Sequence, residues 1–345
     1  MKKFLFLIIP TILLFNSCES KVEKVIPAFY YWKSDSYFSD KEKEITDEQN
    51  IQKMYVKFFE VDYSDALGNF PIAKTNFSAN NYCNDNKFEY EIIPTVYLKN
   101  IVFKKSTKAE LVQLADDVNF LINKYTKERL DSLEIKEFQM DCDWTESTKD
   151  NYFYFLKELK KVSSKSLSCT LRLYPYKYPD KMGVPPVDKA TLMCYNLINP
   201  LENSAKNSIL DLDELKSYLS GKQNYPLHLD VALPLYSWSQ LYQNNQFQKI
   251  IYTGKEFQKS MKKIKPLWYE VTKDTAIDYE TYLKVGDKIK YEEIDANTIN
   301  KAISILKNEL RMDKEITVSL FHLDENQLSN YSNEEISSFY SSFTK

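Results

Sequence analysis

Three acidic side chains lie close together near the middle of the chain, in residues 139–146 (QMDCDWTE). Asp141 and Asp143 are two positions apart, so their carboxylates point to the same side if this segment is a β-strand. Two carboxylates in a confined site raise the pKa of one of them, which lets a carboxyl group donate a proton near neutral pH. Glu146, just beyond the strand, could then face a substrate as a general acid.

Two other interpretations of this acidic segment remain open. Asp143 and Glu146 could be first-turn acids that stabilise the N-terminus of the following helix, with Asp141 paired to a cation. The three carboxylates could instead bind a divalent metal ion, which prefers oxygen ligands. No histidine cluster accompanies them to support that third interpretation.

Arg172 is a candidate partner for these carboxylates. Arginine occurs only three times in a sequence that otherwise uses lysine as its cation. Arg172 falls near the end of the next predicted strand, on the side that carries the polar residues. Because a planar guanidinium binds a carboxylate bidentately, Arg172 is expected either to pair with Asp141 or Asp143 or to contact a substrate directly.

Three of the four tryptophans fall at the predicted ends of strands, namely Trp32, Trp144 and Trp238. Flat aromatic faces beside polar groups suit the C–H faces of sugar rings, since an aromatic ring is an apolar platform with a specific geometry. These positions therefore indicate carbohydrate binding. The alternative is that the rings fill the mouth of the fold or cover helices.

The composition excludes several other kinds of site. Only five glycines occur, at positions 68, 183, 221, 254 and 286, so the clustered glycines of phosphate-binding loops are absent. Two histidines are too few for a zinc site built mainly from imidazoles. With 46 Lys and Arg against 49 Asp and Glu, the chain lacks the positive charge on which nucleic-acid binding depends. The sequence therefore predicts neither a cofactor nor a nucleic-acid partner.

Eight short apolar segments must position these residues, and helical or polar segments separate them. This order predicts an α/β fold, the (β/α)8 TIM barrel. Helices are predicted between them over 108–129, 149–162 and 297–310. About 75 residues separate the last two strands, too many for a bare connection, so a small α+β insertion is expected at about 245–296. The predicted strands are 26–32, 51–61, 90–98, 134–143, 167–174, 190–197, 227–238 and 316–323.

Alternation along the predicted strands separates an apolar face from a polar one. In 227–238 (LHLDVALPLYSW), Asp230 and Tyr236 lie on the face opposite the leucines. A barrel strand turns one face toward the helices and the other toward the axis, so these residues are expected to point inward. Lys57 on the second strand is also expected to point inward. His322 is interpreted as a packing residue rather than a general base.

The first residues resemble a bacterial lipoprotein leader. Lys2 and Lys3 precede an apolar run over 4–15 that is too short to span a bilayer, and Cys18 follows small residues. We expect a leader at 1–17 to be removed and Cys18 to be lipidated, which would anchor the chain to a membrane of the bacterial cell envelope on its periplasmic or surface side. An ordinary secretory peptide is the alternative.

Four segments resemble motifs of glycoside hydrolase family 18, the chitinase and endo-N-acetylglucosaminidase barrels. DCDW (141–144) is similar to the family's D-x-D-W before its catalytic Glu, and MCYN (193–196) to its M-x-Y-D. LPLYSW (233–238) resembles the family's L-P-x-Y-G segment, and SLFHLD (319–324) its final strand. The order and spacing of these segments agree with the family over most of the chain.

The resemblance implies a retaining hydrolysis of an amino-sugar-containing glycan. In that mechanism the substrate's own 2-acetamido oxygen attacks the anomeric carbon while a Glu protonates the leaving oxygen. Asp143 would orient the acetamido group and Asp141 would tune Asp143. Tyr195 would donate a hydrogen bond to the acetamido oxygen, and Phe321 would lie under the cleaved sugar.

Departures from the family pattern leave two functions open. Thr145 occupies the position of the family's Glu, so Glu146 would have to act from one position later, and Asn196 replaces the acidic residue after Tyr195. The first function is that of an exported lipoprotein barrel that hydrolyses an O-glycosidic bond in such a glycan. The second is that of a non-catalytic surface lipoprotein that binds a glycan or a protein.

The predicted site residues form two groups. The catalytic candidates are Glu146, Asp143, Asp141 and Tyr195. The predicted organisation is a leader at 1–17, a tether at 18–24 and a barrel at 25–345, in a monomer that meets the membrane only through its lipid. The substrate-binding candidates are Trp32, Trp144, Arg172, Asn196, Asp230, Tyr236, Trp238 and Phe321.

Overall fold

The structure is a computed structural model. The predicted leader and Cys18 lie outside the residues that it describes. Among the described residues, no helix combines the length and the apolar character that a membrane span needs. The described residues are 21–34, 39–75, 77, 90–130, 133–202, 205–252, 259–277 and 281–345.

Eight parallel strands close into a barrel, and their order along the chain is the predicted one. Each strand pairs with the next, and the last pairs with the first. An antiparallel hairpin partner, β3 (Gly68–Ile72), extends the second strand beyond the barrel. The barrel strands are β1 (Lys24–Tyr31), β2 (Lys53–Ser64), β4 (Glu91–Leu98), β5 (Glu137–Asp141), β6 (Ser166–Arg172), β7 (Lys189–Met193), β8 (His228–Pro234) and β16 (Glu315–Phe321).

Helices cover the outside of the barrel, where the apolar faces of the strands are buried. The predicted helices are confirmed as α3, α4 and α8, and the apolar stripe of α3 is buried. Thr107 and Glu110 form a capping box that fixes the start of α3. The helices are α1 (Asp40–Glu48), α2 (Asn100–Lys105), α3 (Lys108–Arg129), α4 (Lys149–Ser163), α5 (Leu173–Lys177), α6 (Pro179–Met182), α7 (Leu212–Leu219), α8 (Ala296–Glu309), α9 (Glu325–Leu328) and α10 (Asn333–Ser341).

Polar side chains fill part of the barrel axis and bond to one another. Tyr30 donates from its hydroxyl to Gln139 Oε1 at 2.8 Å, and Gln139 Nε2 donates to Thr191 Oγ1 at 3.2 Å. These three side chains come from β1, β5 and β7 and are almost completely buried. Because these three side chains bond to one another, they avoid the cost of unsatisfied hydrogen bonds. Among the described residues, the buried hydroxyls of Tyr55 and Ser319 have no such partner.

An insertion of small antiparallel sheets separates β8 from β16. Five of its strands pair in the order β10-β9-β15-β12-β11, and β13 pairs with β14. The insertion has a small apolar core of its own that includes Leu241, Ile289 and Tyr291. Its strands are β9 (Trp238–Gln243), β10 (Gln246–Ile251), β11 (Met261–Lys265), β12 (Trp268–Val271), β13 (Thr275–Ala276), β14 (Tyr282–Leu283) and β15 (Lys288–Glu292).

Six of the eight predicted strands end earlier than their apolar patterns suggested, and the sixth ends at Met193 rather than at residue 197. The fourth barrel strand ends at Asp141 rather than at residue 143, because its pairing with β4 stops there and the chain turns toward α4. The seventh ends at Pro234 rather than at residue 238. Trp238 instead begins β9, where it pairs with Glu292 of the insertion.

Candidate active site

A cavity of about 430 Å3 lies at the carboxyl ends of β5, β6 and β7. In barrel enzymes the loops at this end of the strands carry the chemistry. The structure therefore places six predicted residues, which lie at or just after the ends of three consecutive barrel strands, around one cavity that is open to solvent. The predicted residues that line it are Asp143, Trp144, Glu146, Arg172, Tyr195 and Asn196.

Asp143 and Arg172 form a bidentate pair at the wall of this cavity. Arg172 Nε lies 2.6 Å from Asp143 Oδ1, and Nη2 lies 3.1 Å from Oδ2. Arg172 Nη1 also donates to the carbonyl oxygen of Asn196 at 3.3 Å, which ties the ends of β6 and β7 together. The side chain of Asp143 is 46% exposed, so the paired carboxylate still faces the cavity. Of the partners predicted for Arg172, the structure selects Asp143.

Asp141 lies beneath this pair at the last position of β5, with 8% of its surface exposed. Thr170 on β6 donates from its hydroxyl to Asp141 Oδ1 at 2.6 Å. Burial, followed by the nearby charge of Asp143, raises the pKa of Asp141 to about 7. Asp141 can therefore hold or release a proton near neutral pH. An upward shift of its pKa is also what the neighbouring carboxylate of Asp143 is expected to cause.

Glu146 lies in the turn before α4 and lines the same cavity as Asp143. Thr145, which occupies the position of the family's Glu, is engaged in the turn itself. Its backbone N–H donates to Thr148 Oγ1 at 2.9 Å, and its hydroxyl lies 3.0 Å from that of Ser147. Since Glu146 is exposed and borders the cavity, it is the carboxylate of this turn that can meet a ligand.

A row of aromatic rings crosses the barrel mouth beside the carboxylates. Trp32 lies 5.6 Å from Phe321 between ring centroids, and Phe321 lies 5.1 Å from Tyr195. Trp32 and Phe321 are half-buried, so part of each ring remains accessible. Burial raises the pKa of Tyr195 well above its ordinary value, which keeps its hydroxyl protonated as a hydrogen-bond donor.

Asn196 and Tyr236 are also joined at this site. Tyr236 donates from its hydroxyl to Asn196 Oδ1 at 2.6 Å, and its ring meets that of Tyr195 edge-on at 6.2 Å. Asn196 has a φ of 54°, in the left-handed region that asparagine tolerates better than most residues. The two residues thus fix the backbone turn that follows β7 at the edge of the cavity.

Two of the tryptophans predicted to contact a sugar, Trp144 and Trp238, are nearly buried. Trp144 is 4% exposed, stacks on Tyr152 at 5.3 Å and donates from Nε1 to the carbonyl oxygen of Met182. Trp238 is 7% exposed and donates from Nε1 to Glu292 Oε2 at 2.6 Å. Both rings therefore act mainly as packing residues, one under α4 and α6 and the other between barrel and insertion.

Asp230 points inward as predicted but lies at the opposite end of the barrel. It is 1% exposed, and Oδ1 accepts from the backbone N–H of Thr317 at 2.6 Å. Lys189 and His228, the first residues of β7 and β8, lie 3.2 Å and 3.1 Å from its carboxylate oxygens. The structure does not bring Asp230 to the cavity, because strand alternation fixes a face but not a level along the axis.

Glu60 is a neighbour of the site that strand alternation does not predict. A β-bulge in β2 between Lys57 and Phe59 shifts its pairing with β4, so that Lys57 pairs with Thr95 and Glu60 with Tyr97. Lys57 and Glu60 therefore both face the interior and form an ion pair at 2.8 Å. Only the register, and not the sequence pattern, reveals that Glu60 lies at the level of Tyr97.

The remaining predictions concern His322 and a metal ion. Burial lowers the pKa of His322 to about 4, so its ring is neutral at physiological pH. The ring packs on that of Phe321 at 5.2 Å, in agreement with a packing role. Within the described ranges, no group of three or more His, Cys, Asp or Glu side chains is arranged to hold a metal ion.

Comparisons with known proteins rest on the fold rather than on the sequence. No family model matches the chain, and no curated protein matches it. The structure is similar to the spore cortex-lytic enzyme SleL from Bacillus cereus, with a TM-score of 0.54 and 14% identity over 94% of this chain and 75% of that one. An immunomodulatory active chitinase from Trichuris suis gives 0.53 and 11% identity over 93% of this chain and 100% of that one.

A third similar structure is a GH18 chitinase from Cycas revoluta in complex with (GlcNAc)3, with a TM-score of 0.50 and 11% identity. The match covers 93% of this chain and 100% of that chitinase. The protein therefore has a (β/α)8 barrel similar to the barrels of these three enzymes, and this is the fold that its four motifs implied. The chemistry at its mouth depends on its own residues.

Proposed function

We propose that the cavity binds a glycan that contains N-acetylated amino sugars and that the protein hydrolyses its glycosidic bond. One observation carries the proposal: Asp143 and Glu146 from the loop after β5, and Tyr195 from the segment after β7, line a single cavity at the carboxyl ends of the strands. Similar barrels include a chitinase solved with (GlcNAc)3 bound. An acid, an orienting carboxylate and a hydroxyl donor are the groups that substrate-assisted hydrolysis needs.

In this proposal Glu146 donates a proton to the leaving glycosidic oxygen as the bond from that oxygen to the anomeric carbon breaks. At the same time the acetamido oxygen of the substrate attacks that carbon and forms a cyclic oxazolinium intermediate. Water then attacks the anomeric carbon, its proton passes to the Glu146 carboxylate, and the bond to the acetamido oxygen breaks.

Asp143 accepts a hydrogen bond from the acetamido N–H and so directs the oxygen toward the anomeric carbon. Tyr195 donates a hydrogen bond to the acetamido oxygen. Asp141, with its pKa near 7, exchanges a proton close to Asp143 and limits the negative charge of the pair.

The test compares hydrolysis and binding of N-acetylglucosamine oligomers by the unaltered protein and by Glu146→Gln. We expect hydrolysis to fall by about a hundredfold or more, the usual contribution of a general acid, while calorimetric affinity changes little. Glu270→Gln, an exposed carboxylate on β12 of the insertion, is the matched control and should leave turnover unchanged. Equal turnover by Glu146→Gln and the unaltered protein would remove Glu146 from the mechanism.

Binding without hydrolysis is the second candidate function. It is favoured by the bidentate pair of Asp143 with Arg172, which holds the carboxylate in place, and by Thr145 at the position of the family's Glu. A misplacement of the acid by even one ångström costs about a hundredfold in rate. Calorimetric binding of the oligomers together with undetectable product release from the unaltered protein would select this function.

We also propose that the protein is a lipoprotein anchored through Cys18 to a membrane of the bacterial cell envelope. The support is the sequence of residues 2–18, with its paired lysines, short apolar run and cysteine. Metabolic labelling with a fatty-acid analogue should mark the protein and fail to mark Cys18→Ser. Equal labelling of the two proteins would place the modification elsewhere, and absence of label on both would favour an ordinary secretory leader.

A further inference from the structure

A second cavity, of about 420 Å3, adjoins the candidate active site on the side of α5 and α6. Tyr174 lines the first cavity and Tyr178 lines the second. The centroids of the two rings are 4.8 Å apart, so the rings are in contact where the cavities meet. Each cavity falls in the volume range of small-molecule sites, and the contact between the two rings makes the cavities neighbours.

The tyrosines at this junction are unusually accessible for a protein with so large an aromatic core. Tyr174 is 42% exposed and Tyr178 is 41% exposed. Tyr218 on α7 also lines the first cavity and is half-buried. Contiguous exposed aromatic surface at a cavity rim is typical of a ligand platform, whereas packing residues in this protein, such as Trp144, are nearly fully buried.

Three side-chain hydrogen bonds hold the backbone that carries these rings. Lys177 Nζ donates to the carbonyl oxygen of Ser217 at 2.7 Å, which ties α5 to α7. Gln223 Nε2 donates to the carbonyl oxygen of Tyr176 at 2.9 Å. Lys149 Nζ donates to the carbonyl oxygen of Lys181 at 2.7 Å. A platform fixed in this way loses little conformational entropy when a ligand binds.

The polar groups of the second cavity complement the aromatic rim. Lys177, Asp180, Lys181 and Gln223 line it and supply ammonium, carboxylate and amide groups. The Nζ atom of Lys177 lies 5.6 Å from the ring centroid of Tyr178. An aromatic face flanked by hydrogen-bonding groups of both kinds fits a sugar ring, whose faces are apolar and whose edges carry hydroxyl groups.

We propose that the second cavity is a distal subsite for the same glycan chain, with Tyr174 and Tyr178 as the stacking platform between the two cavities. The inference rests on the proposed function and deepens it, since it assigns the substrate to polymers or long oligosaccharides rather than to short ones. A short oligomer fills the first cavity alone. A longer one crosses the tyrosine pair and also contacts the second cavity.

The test is calorimetric titration with the dimer and the hexamer of N-acetylglucosamine. The unaltered protein should bind the hexamer more tightly. Tyr178→Ala should weaken hexamer binding about fivefold, the scale of one good aromatic contact, and leave dimer binding unchanged. Tyr282→Ala, a 51% exposed tyrosine of the insertion, is the matched control and should change neither. Thermal unfolding verifies that both variants fold.

The outcomes separate this inference from the proposed function. Dimer binding by the unaltered protein, with a hexamer affinity that Tyr178→Ala does not lower, would overturn the distal subsite and leave the proposed function standing. An equal loss for dimer and hexamer would also overturn it, because Tyr178 would then act within the first cavity. Failure of both oligomers to bind the unaltered protein would contradict the proposed function and the subsite together.

Discussion

The two ends of the barrel use charged residues in opposite ways. At the amino-terminal end, Lys189 lies 3.0 Å from Glu137 and 3.2 Å from Asp230, and His228 lies between Asp230 and Asp313. Each acidic group there has a cationic or imidazole partner. At the carboxyl-terminal end, Arg172 pairs with Asp143 and is the only cation among the described residues that line the cavity, which Glu146 also borders.

The difference shows which end of the barrel is built for stability and which for ligands. Glu137 and Asp230 at the amino-terminal end are buried and paired, so removal of Lys189 leaves both carboxylates without their cation. At the other end a surplus of carboxylates borders an open cavity, and burial, followed by the nearby charge of Asp143, raises the pKa of Asp141 to about 7. A surplus of neighbouring carboxylates lowers the stability of the fold unless a ligand interacts with it. Titratable groups with shifted pKa values are common at functional sites.

The largest expected effect is a pH dependence caused by Asp141. Since its folded-state pKa of about 7 lies above its ordinary value, the folded state retains the proton that the unfolded chain releases. The free energy of unfolding should therefore fall by roughly 4 kcal/mol as the pH rises from 4 to 8, through the folded-state pKa, at 1.36 kcal/mol per pKa unit. In Asp141→Asn this decline should disappear, as measured by urea unfolding at several pH values. A parallel decline in the variant would assign it to other groups.

The next effect compares the cluster of Lys189, Glu137 and Asp230 with an exposed ion pair. Lys189→Met should lower the free energy of unfolding by about 3 kcal/mol, because it leaves Glu137 and Asp230 buried without their cation. Lys24→Met, which breaks the exposed pair with Glu315, is the control and should have a much smaller effect. Similar unfolding midpoints for the two variants would show that the cluster does not stabilise the barrel.

A smaller effect is expected on binding at the cavity. Tyr195→Phe keeps the ring that packs on Phe321 and loses only the hydroxyl, so affinity for N-acetylglucosamine oligomers should fall by about 1 kcal/mol. Tyr225→Phe, which removes a buried hydroxyl with no hydrogen-bond partner, is the matched control and should bind normally. Unchanged affinity in Tyr195→Phe would exclude a hydrogen bond from this hydroxyl to the ligand.

The smallest effect concerns His228. Hydrogen bonding to Asp230 raises its pKa, so the stabilisation is complete below pH 6.5 and is lost as the pH rises through the folded-state pKa. Because the side chain is 31% exposed, the contribution should stay below about 1 kcal/mol. His228→Gln should therefore be less stable than the unaltered protein at pH 5.5 and equal to it at pH 9. A difference that persists at pH 9 would point to lost packing.

The fold could be predicted from the sequence because its signals are local. Apolar runs with alternating faces define eight strands in order, and the stripe of α3 and its capping box define a helix with the observed bounds. The proximity of Asp143 and Arg172 was also predictable, since both lie near the ends of adjacent strands. These inferences need only the period of the pattern and the order of the strands.

The rest of the site depends on register and pairing, which a single sequence does not encode locally. Asp230 has the inward face but lies at the wrong end, and Trp238 leaves the barrel to pair with Glu292. Glu60 faces inward only because of the bulge in β2. Tyr174 and Tyr178 become neighbours because the short helix α5, which was not predicted, places them four residues apart on one helical turn.

The most direct test of the central claim is a crystal structure of Glu146→Gln soaked with the N-acetylglucosamine pentamer. The substitution slows cleavage, so an intact ligand should be visible. We predict electron density for an acetamido group between Asp143 and Tyr195, in the cavity at the carboxyl ends of β5 to β7. Density confined to another surface, or an unchanged cavity at a saturating concentration of the pentamer, would contradict the claim.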